Sequence, residues 1–319
     1  MDNFSKIQEL LRKKADLQTR LNLIPYIGTP EIKENKSGKY LYVRKRELGK
    51  LTSQYVNKFS DELYQTLLRY SKEARELNKE IRKIEKELAL LNYVSGELAP
   101  EVQLNLDYAR ANMKANIYDQ AILEGVATTF PQTETIIENG KVTGMRASDV
   151  QKILNLKHAW EFILDKDVIQ APTDFYILSY IAGLVNEGFY KQGGRVRGVP
   201  VAIGGSTYVP TIPNEIDVKE AIQNIIFRNF SNIDKSIELC LYVMKTQIFN
   251  DGNKRAAVIF ANHYLISQGE GLIVIPEKEV PKFKKLLVDY YEDKDTTTIK
   301  TFMKEKCWRK YDKAGDWHR

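Results

Sequence analysis

The sequence predicts a mostly α-helical protein, in which a long antiparallel helical arm carrying a small β-hairpin precedes a helical core with a second β-hairpin. Apolar residues between Leu67 and Leu91 recur at alternating spacings of three and four, which is the heptad pattern of packed helices. Most other apolar segments also have helical spacing. Two stretches favour strands instead, one at about residues 39–56 and one at 199–210.

Length and composition limit the number of domains and the classes of protein to which the chain can belong. The 319 residues are 43% hydrophobic, enough for a large core in one or two domains. The N-terminus lacks the basic and apolar regions of a signal peptide, and no apolar run approaches the roughly 20 residues of a membrane span. We therefore expect a cytoplasmic protein without membrane contact. Cys240 and Cys307 lie in apolar helical patterns, without His or Cys neighbours at metal-ligand spacing, so we expect reduced, inert thiols.

The positive charge is concentrated at one end of the chain. The net charge is +6, and residues 1–100 hold 20 Lys and Arg against 14 Asp and Glu. A basic excess of this size is compatible with a nucleic-acid or acidic-protein partner, but more often it only keeps a helical surface hydrated. Nucleic-acid binding is therefore the less favoured alternative.

Residues 1–95 are predicted to form the arm. An apolar face runs along residues 2–24, and the Gly28-Thr29-Pro30 cluster ends this first helix. Residues 39–43 and 51–56 form the predicted β-hairpin, joined across Leu48-Gly49-Lys50. The long helix of about residues 59–92 then packs against the first helix, either as an antiparallel hairpin or across a homodimer.

A cluster of turn-forming residues at 95–100 marks the predicted domain boundary. The second domain is predicted at residues 100–307, with residues 308–319 as a C-terminal tail. Its predicted helices lie at about residues 101–113, 117–127, 147–164, 173–187, 218–230, 236–246, 256–267, 280–292 and 296–307.

The densest polar chemistry lies at residues 247–255, Gln-Ile-Phe-Asn-Asp-Gly-Asn-Lys-Arg, between two predicted helices. A tight turn there presents backbone N–H groups at a helix N-terminus, where they bind anions such as phosphate. Asp251 offers a hard oxygen ligand to a divalent cation, while Lys254 and Arg255 neutralise phosphate oxygens. The same residue types are common in ordinary surface turns, which is the alternative.

This stretch resembles the signature of the Fic/Doc (Fido-domain) family, His-x-Phe-x-Asp/Glu-Gly-Asn-Gly/Lys-Arg-x-x-Arg. Phe249 and the run from Asp251 to Arg255 match it, whereas Gln247 replaces the histidine and Val258 replaces the second arginine. The resemblance covers about residues 117–307. It implies a Fic-type helical core that binds ATP and Mg²⁺, with Asp251 as the metal ligand. The nucleotide-binding residues that it implies are Asn250, Asp251, Gly252, Asn253, Lys254 and Arg255.

Residues 117–129 resemble the inhibitory helix that precedes the core in some Fic proteins. Glu124-Gly125 matches that motif, and Gln120 replaces its hydroxyl residue. In the family this glutamate pairs with the second arginine and blocks the γ-phosphate of ATP. Because that arginine is Val258 here, the resemblance leaves Lys254 or Arg255 as the partner of Glu124. An inhibitory segment within the chain makes a separate antitoxin-like partner less necessary. Taken alone, Glu-Gly is an ordinary helix C-cap.

The strand-forming residues 199–210 resemble the family's flap, a β-hairpin whose edge strand pairs with an extended segment of the target protein. The alternative is an ordinary surface hairpin. The residues expected to serve as the flap are Ile203, Gly204, Gly205, Ser206, Thr207 and Tyr208.

In the family, the signature histidine is the general base for attack of a Ser, Thr or Tyr hydroxyl on ATP, which transfers AMP. The Gln247 amide has no pKa near neutrality and cannot take that proton, and general-base catalysis contributes roughly 10²–10⁴-fold. The leading hypothesis is therefore a Fic protein that binds nucleotide and has absent or much reduced transferase activity.

Two other hypotheses stay open. An active enzyme would transfer AMP, or would transfer phosphate as in the Doc branch, which the chain resembles at Asn253-Lys254-Arg255. Alternatively, it would remove AMP from a modified protein with a water polarised by Glu124. A non-enzymatic protein would act through the basic arm as an adaptor for a partner protein or nucleic acid.

Overall fold

The structure is a computed structural model that describes residues 2–47, 50–138, 140 and 142–310. The chain divides into two compact units, Met1–Ser95 and Gly96–Arg319. Thirteen α-helices dominate the described residues, and the strands form two small antiparallel sheets, so the predicted mostly α-helical class is confirmed. Within the described ranges, no helix is both long and apolar enough to cross a membrane.

The first unit contains the predicted helical arm. Helices α1 (Asn3–Leu23) and α2 (Asp61–Leu90) are antiparallel, so the start of α1 packs on the end of α2. The apolar side chains of the heptad seam pack against α1 and are thereby removed from contact with water. The buried contacts are made by Leu11, Leu21, Ile24, Ala74, Ile81, Ile84 and Leu88.

The predicted hairpin is part of a three-stranded antiparallel sheet. Its strands are β1 (Thr29–Asn35), β2 (Gly38–Glu47) and β3 (Lys50–Lys58), in the order β1-β2-β3. The Gly28-Thr29-Pro30 cluster was expected only to end α1, but it leads into β1. Pro30 is tolerated because β1 is an edge strand, where one side of the backbone needs no N–H donor. Leu48 and Gly49, predicted to form the hairpin turn, lie outside the described residues.

The second unit is built around a central helix. Its helices are α3 (Pro100–Ala111), α4 (Met113–Leu123), α5 (Phe130–Ile137), α6 (Ala147–Ile163), α7 (Lys166–Ile169), α8 (Phe175–Val185), α9 (Glu215–Phe227), α10 (Asn232–Thr246), α11 (Asn253–Ser267), α12 (Val280–Tyr291) and α13 (Thr298–Phe302). Helix α11 is buried along most of its length and packs against α6, α8 and α10. Its N-terminus is therefore held in place from several sides.

The long predicted helices of this unit are present, with ends shifted by a few residues. The sequence did not predict α5 or α7, because four to eight residues show too little periodicity. The last predicted helix is divided: α13 is followed by a π-helical turn, Met303–Cys307. Strand β5 (Trp308–Arg309) then pairs with β4 (Leu272–Ile273). Residues 311–319 of the predicted tail lie outside the described residues.

The β-hairpin predicted at residues 199–210 is wrong: this segment, all of which is described, forms an irregular loop. It reverses direction at Gly205, whose φ is +81°. Pro200 and Pro210 have no N–H to donate to a strand ladder. In addition, the side chain of Arg197 donates to backbone carbonyls at both ends of the segment, which in a hairpin would accept from N–H groups of the facing strand.

Candidate functional site

The turn between α10 and α11 begins and ends with left-handed backbone. Gln247 ends α10 with φ +48° and ψ +59°, and Gly252 precedes α11 with φ +72°. Glycine is also required at 252 because a Cβ there would lie 2.7 Å from Asn186 Oδ1. Asn186 donates from Nδ2 to the carbonyl of Asp251 at 2.9 Å. Asn186, just after α8, therefore fixes the backbone of the turn.

Asn253 braces this turn from the inside. Its Oδ1 accepts a hydrogen bond from the backbone N–H of Phe249 (2.9 Å), and its Nδ2 donates to the carbonyl of Phe249 (2.8 Å). The side chain is 4% exposed. Asn253 was expected to bind nucleotide, but its side chain is occupied within the turn, which leaves its backbone amide for an anion.

Both polar atoms of the Gln247 side chain make hydrogen bonds. Nε2 donates to the carbonyl of Met244 at 2.6 Å, and Oε1 accepts from Asn253 Nδ2 at 3.1 Å. The backbone carbonyl of Gln247 accepts from Nε of Arg197 at 2.6 Å. Gln247 therefore stabilises the turn and offers no proton acceptor of the kind that a histidine would supply.

Arg255 lies behind the site rather than in it. Its side chain is 1% exposed, and its Nη1 donates to the carbonyl of Val185 at 2.6 Å. Nη2 binds Asp251 Oδ2 at 3.1 Å. Arg255 was expected to bind phosphate, but here its guanidinium is committed to buried backbone and carboxylate groups and does not line the cleft. Its role is to hold Asp251 and the turn against α8.

Glu124 reaches the turn from the end of α4. Its Oε2 lies 3.3 Å from Nε of Arg255, and its Oε1 lies 3.8 Å from Nζ of Lys254. The carboxylate is 11% exposed, and Oε1 is buried without a hydrogen bond from any described residue. Both cations named from the sequence thus face Glu124, where the family resemblance had left a choice between them.

Two hydrogen bonds of Gln120 tie α4 to α11 and to α6. The side chain of Gln120 donates from Nε2 to the carbonyl of Arg255 at 2.8 Å and accepts from Trp160 Nε1 at 2.9 Å. Val258 is 2% exposed and lines a small internal cavity beside Gln120. Glu124 is therefore positioned by its helix, without an arginine at 258.

A cleft of about 400 Å³ opens in front of the turn. The predicted residues on its walls are Glu124, Ile203, Gly204, Gln247, Asn250, Asp251, Gly252, Asn253 and Lys254. A further wall, which the sequence did not predict, is supplied by α12 through Lys284, Leu287, Val288 and Tyr291. The amphipathic pattern of residues 280–292 predicted the helix, but it did not distinguish a side chain facing a cleft from one facing solvent.

The irregular loop forms the rim of the cleft through residues 201–204. Its far side is held by Glu292, which accepts hydrogen bonds from the hydroxyls of Ser206 and Thr207 and from the Thr207 amide (2.7 Å). Tyr208 stacks on Tyr291 with ring centroids 6.4 Å apart. Of the six predicted flap residues, Ile203 and Gly204 therefore line the cleft, while the rest reverse the loop or anchor it.

Asp251 is the predicted metal ligand, and its side chain is 49% exposed beside the cleft. The described residues contain no group of three His, Cys, Asp or Glu side chains arranged around a metal site. Mg²⁺ is often held by one or two carboxylates, with phosphate and water as its other ligands. The chain therefore fits a nucleotide-bound Mg²⁺ rather than a metal ion held by protein alone.

His263 does not supply a base to the cleft. Its Nδ1 is 2.8 Å from Thr173 Oγ1, and its Nε2 is 2.9 Å from the carbonyl of Val168. Burial lowers the pKa of His263 to about 4. His158 is also buried, with Nδ1 3.5 Å from Glu187 Oε2. Both described histidines are thus core residues away from the cleft.

Two segments match sequence families. Residues 174–265 match the Fic/DOC family, and residues 4–65 match a domain described as Domain of unknown function (DUF6788). No curated protein matches the chain. The Fic/DOC segment contains the turn and the loop at the rim, while Glu124 and α12 lie outside it.

Solved structures of Fic proteins share the fold at low sequence identity. Fic-1 from C. elegans (residues 134–508) is 15% identical with a TM-score of 0.52, covering 76% of this chain and 74% of its own. A Fic domain containing signaling protein from Bacteroides thetaiotaomicron is 18% identical with a TM-score of 0.50, covering 60% and 75%. A Fic family protein from Desulfovibrio desulfuricans is 15% identical with a TM-score of 0.50, covering 66% and 73%. The protein therefore carries a Fic/DOC family segment, residues 174–265, within a helical Fic-type fold.

Proposed function

We propose that the second unit binds ATP with Mg²⁺ in the cleft at the N-terminus of α11 and has little or no nucleotidyl-transfer activity. The observation that carries this proposal is the convergence, on one 400 Å³ cleft, of the turn, Lys254 and Asp251. The family comparison supports nucleotide chemistry in general. The contacts of the cleft residues support binding of ATP with Mg²⁺ and low transfer activity.

The donor groups of the cleft suit a chain of phosphates. The first amides of α11, from Asn253 onward, have no acceptor in the preceding turn of helix and carry the positive end of the helix dipole. Lys254 and Lys284 add two ammonium groups from different walls. Leu287, Val288 and Tyr291 form an apolar surface beside them, against which a nucleoside fits. The cleft thus offers positive charge from both the turn and α12, and apolar area from α12.

The Mg²⁺ ion would be held by Asp251 together with phosphate oxygens of the nucleotide. Bound there, the ion would neutralise phosphate charge. Arg255 takes one oxygen of the Asp251 carboxylate at 3.1 Å and so fixes its orientation. The other oxygen of that carboxylate would then serve as the hard ligand for the ion.

Transfer of AMP to a protein hydroxyl requires a group that removes the hydroxyl proton. Gln247 cannot do so, and its amide is already bonded to Met244 and Asn253. Glu124 adds a second obstacle, since its carboxylate lies beside Lys254 and repels a phosphate approaching that ammonium group. A target protein would dock on the rim at residues 201–204, as expected for a flap, through extended backbone rather than a regular strand.

Calorimetry of the full chain with ATP and Mg²⁺ tests the binding. We expect a single exothermic site, and Lys254→Ala weakens it by about tenfold or more, because hydrogen bonds to charged groups contribute roughly 1.5–3 kcal/mol. Lys191→Ala is the matched control, since Lys191 is an exposed lysine outside the cleft. The absence of binding heat, or equal affinity of the Lys254 and Lys191 variants, contradicts the proposal.

The buried, unbonded Oε1 of Glu124 favours one second candidate, removal of AMP from a modified protein. In that reaction Glu124 would polarise a water molecule, which attacks the phosphorus of the protein–AMP ester. The bond from phosphorus to the side-chain oxygen breaks, that oxygen takes the proton, and AMP leaves. Release of AMP from an AMPylated peptide, abolished by Glu124→Gln, supports this candidate. Equal release by both proteins, or none by either, rejects it.

A further inference from the structure

The outer face of the sheet in the first unit carries a cluster of tyrosines. The rings of Tyr42 and Tyr55 lie with centroids 5.5 Å apart, and those of Tyr40 and Tyr55 lie 6.3 Å apart. Tyr55 is 51% exposed. The opposite face supplies the core contacts, through Leu41 and Val43. Tyr40 and Tyr42 are half-buried, so Tyr55 is the most exposed of three rings on a face that the packing of the unit does not require.

Positive charge borders these rings. Nζ of Lys33 on β1 lies 4.5 Å from the centroid of the Tyr42 ring. Glu31 is an acidic residue on the same face, but it lies 3.8 Å from Lys33 Nζ and accepts a hydrogen bond from Ser53 at 3.1 Å. The carboxylate is thus occupied locally and does not cancel the charge of the other basic residues.

Three more basic side chains lie on this face of the sheet. Arg44 and Arg46 follow Tyr42 on β2 at spacings of two residues, so they point to the same side of the sheet. Lys58 is paired in register with Tyr40. All three side chains are exposed. Residues 1–95 as a whole hold 20 Lys and Arg against 13 Asp and Glu, so the entire unit attracts anions.

We propose that this tyrosine face, made of Lys33, Tyr40, Tyr42, Arg44, Tyr55 and Lys58, binds single-stranded nucleic acid. Aromatic rings exposed on an antiparallel sheet stack on unpaired bases, and flanking cations contact the phosphates. A duplex offers such a surface only its phosphates, because its bases are already stacked and paired. An acidic protein segment would use the cations but leave the rings uncovered. The charges and the rings together therefore favour a single strand.

The test is fluorescence anisotropy of the full chain with labelled oligo-dT and oligo-rU of 20 nucleotides, at several salt concentrations. We expect binding that weakens as salt rises, because cations on the protein displace counterions from the phosphates. Tyr55→Leu weakens it by roughly 5- to 100-fold, the range for loss of one stacked base. Tyr55→Phe retains wild-type affinity, because the ring remains while the hydroxyl is lost.

The matched control is Tyr190→Leu, an equally exposed tyrosine in the second unit, which leaves the affinity unchanged. Circular dichroism of each variant checks that the sheet is folded, and the Phe and Leu pair separates stacking from general apolar contact. No binding at low salt overturns the proposal. Equal affinity of Tyr55→Leu and wild type, equal affinity for a duplex, or displacement by polyglutamate as effective as by unlabelled oligonucleotide also overturns it.

Discussion

Gln247 has a backbone conformation that is unfavourable for a residue with a Cβ, and its neighbours maintain it. Its amide N donates to the carbonyl of Val243 at 3.2 Å, and Arg197 binds its carbonyl. The left-handed conformation costs roughly 1–2 kcal/mol for most residues, but histidine and asparagine adopt it more readily. A histidine at 247 would therefore fit this backbone at least as well as the glutamine.

This compatibility makes Gln247→His an informative variant. We expect it to fold normally and to incorporate label from ATP into proteins of a cell lysate, because it restores a proton acceptor at the cleft. ATP labelled at the α-phosphate reports AMP transfer, and ATP labelled at the γ-phosphate reports phosphate transfer. Gln247→Asn is the matched control, since it fits the same backbone and remains an amide. Equal incorporation by wild type and the histidine variant would show that residue 247 is not the cause of low activity.

His263 predicts a pH dependence of stability. Burial lowers its pKa from 6.5 to about 4, so the folded state holds the neutral ring and the unfolded state binds the proton first. Its contribution to stability is complete above pH 6.5 and is lost as the pH falls towards 4, amounting to roughly 3 kcal/mol. Urea unfolding of wild type and His263→Gln between pH 7 and pH 4 measures this. The difference between the two proteins should shrink as the pH falls, and a constant difference contradicts the prediction.

The helices could be predicted from their own sequences more reliably than the irregular segments. The α2 seam was predictable because its apolar spacing repeats over more than 20 residues, and only a helix buries such a pattern. The loop at 199–210 was not, because its β-forming residues are overridden by Arg197, a side chain just outside the segment that binds carbonyls at both of its ends. A prediction that uses only the residue types within the segment takes no account of such a contact.

The candidate site also contains residues that the sequence predicted and residues that it did not. The turn from Gln247 to Arg255 was predictable because its residues are contiguous, and the approach of Glu124 followed from the family resemblance. Two charged groups were assigned less well: Arg255 proved to be buried, and Lys284 was missed. Both errors concern which way a side chain points from its helix, and packing against α8 and across the cleft decides that direction.

Glu292 predicts how the rim of the cleft is restrained. Its pairing with Lys294, together with hydrogen bonds from Thr207 and Ser206, lowers its pKa to about 2. The restraint is therefore complete above the ordinary carboxyl pKa of 4.5 and is lost as the pH falls towards 2. At pH 7, Glu292→Ala should speed hydrogen exchange of the Thr207 amide, which loses its acceptor. Glu305→Ala, at an exposed glutamate of the same unit, is the control. Unchanged exchange in the Glu292 variant would show that other contacts hold the loop.

The two proposed activities lie in different units of the chain. Every described residue that lines the cleft falls between Glu124 and Tyr291, and the tyrosine face falls between Lys33 and Lys58. The excess positive charge of the sequence also belongs to the first unit. A protein arranged in this way separates recognition of a polyanion from recognition of a nucleotide, so that each can be removed without the other.

Deletion of residues 1–95 tests this separation. The remaining chain keeps the whole cleft and, with more than 200 residues, enough buried core to fold alone. We expect its affinity for ATP with Mg²⁺ to equal that of the full chain, and its affinity for the labelled oligonucleotides to be lost. The full chain with Lys254→Ala is the converse control, since it should bind ATP about tenfold or more weakly and retain its affinity for the oligonucleotide. A truncated chain that folds but no longer binds ATP would mean that the first unit contributes to the nucleotide site, because the cleft residues themselves are unchanged by the deletion.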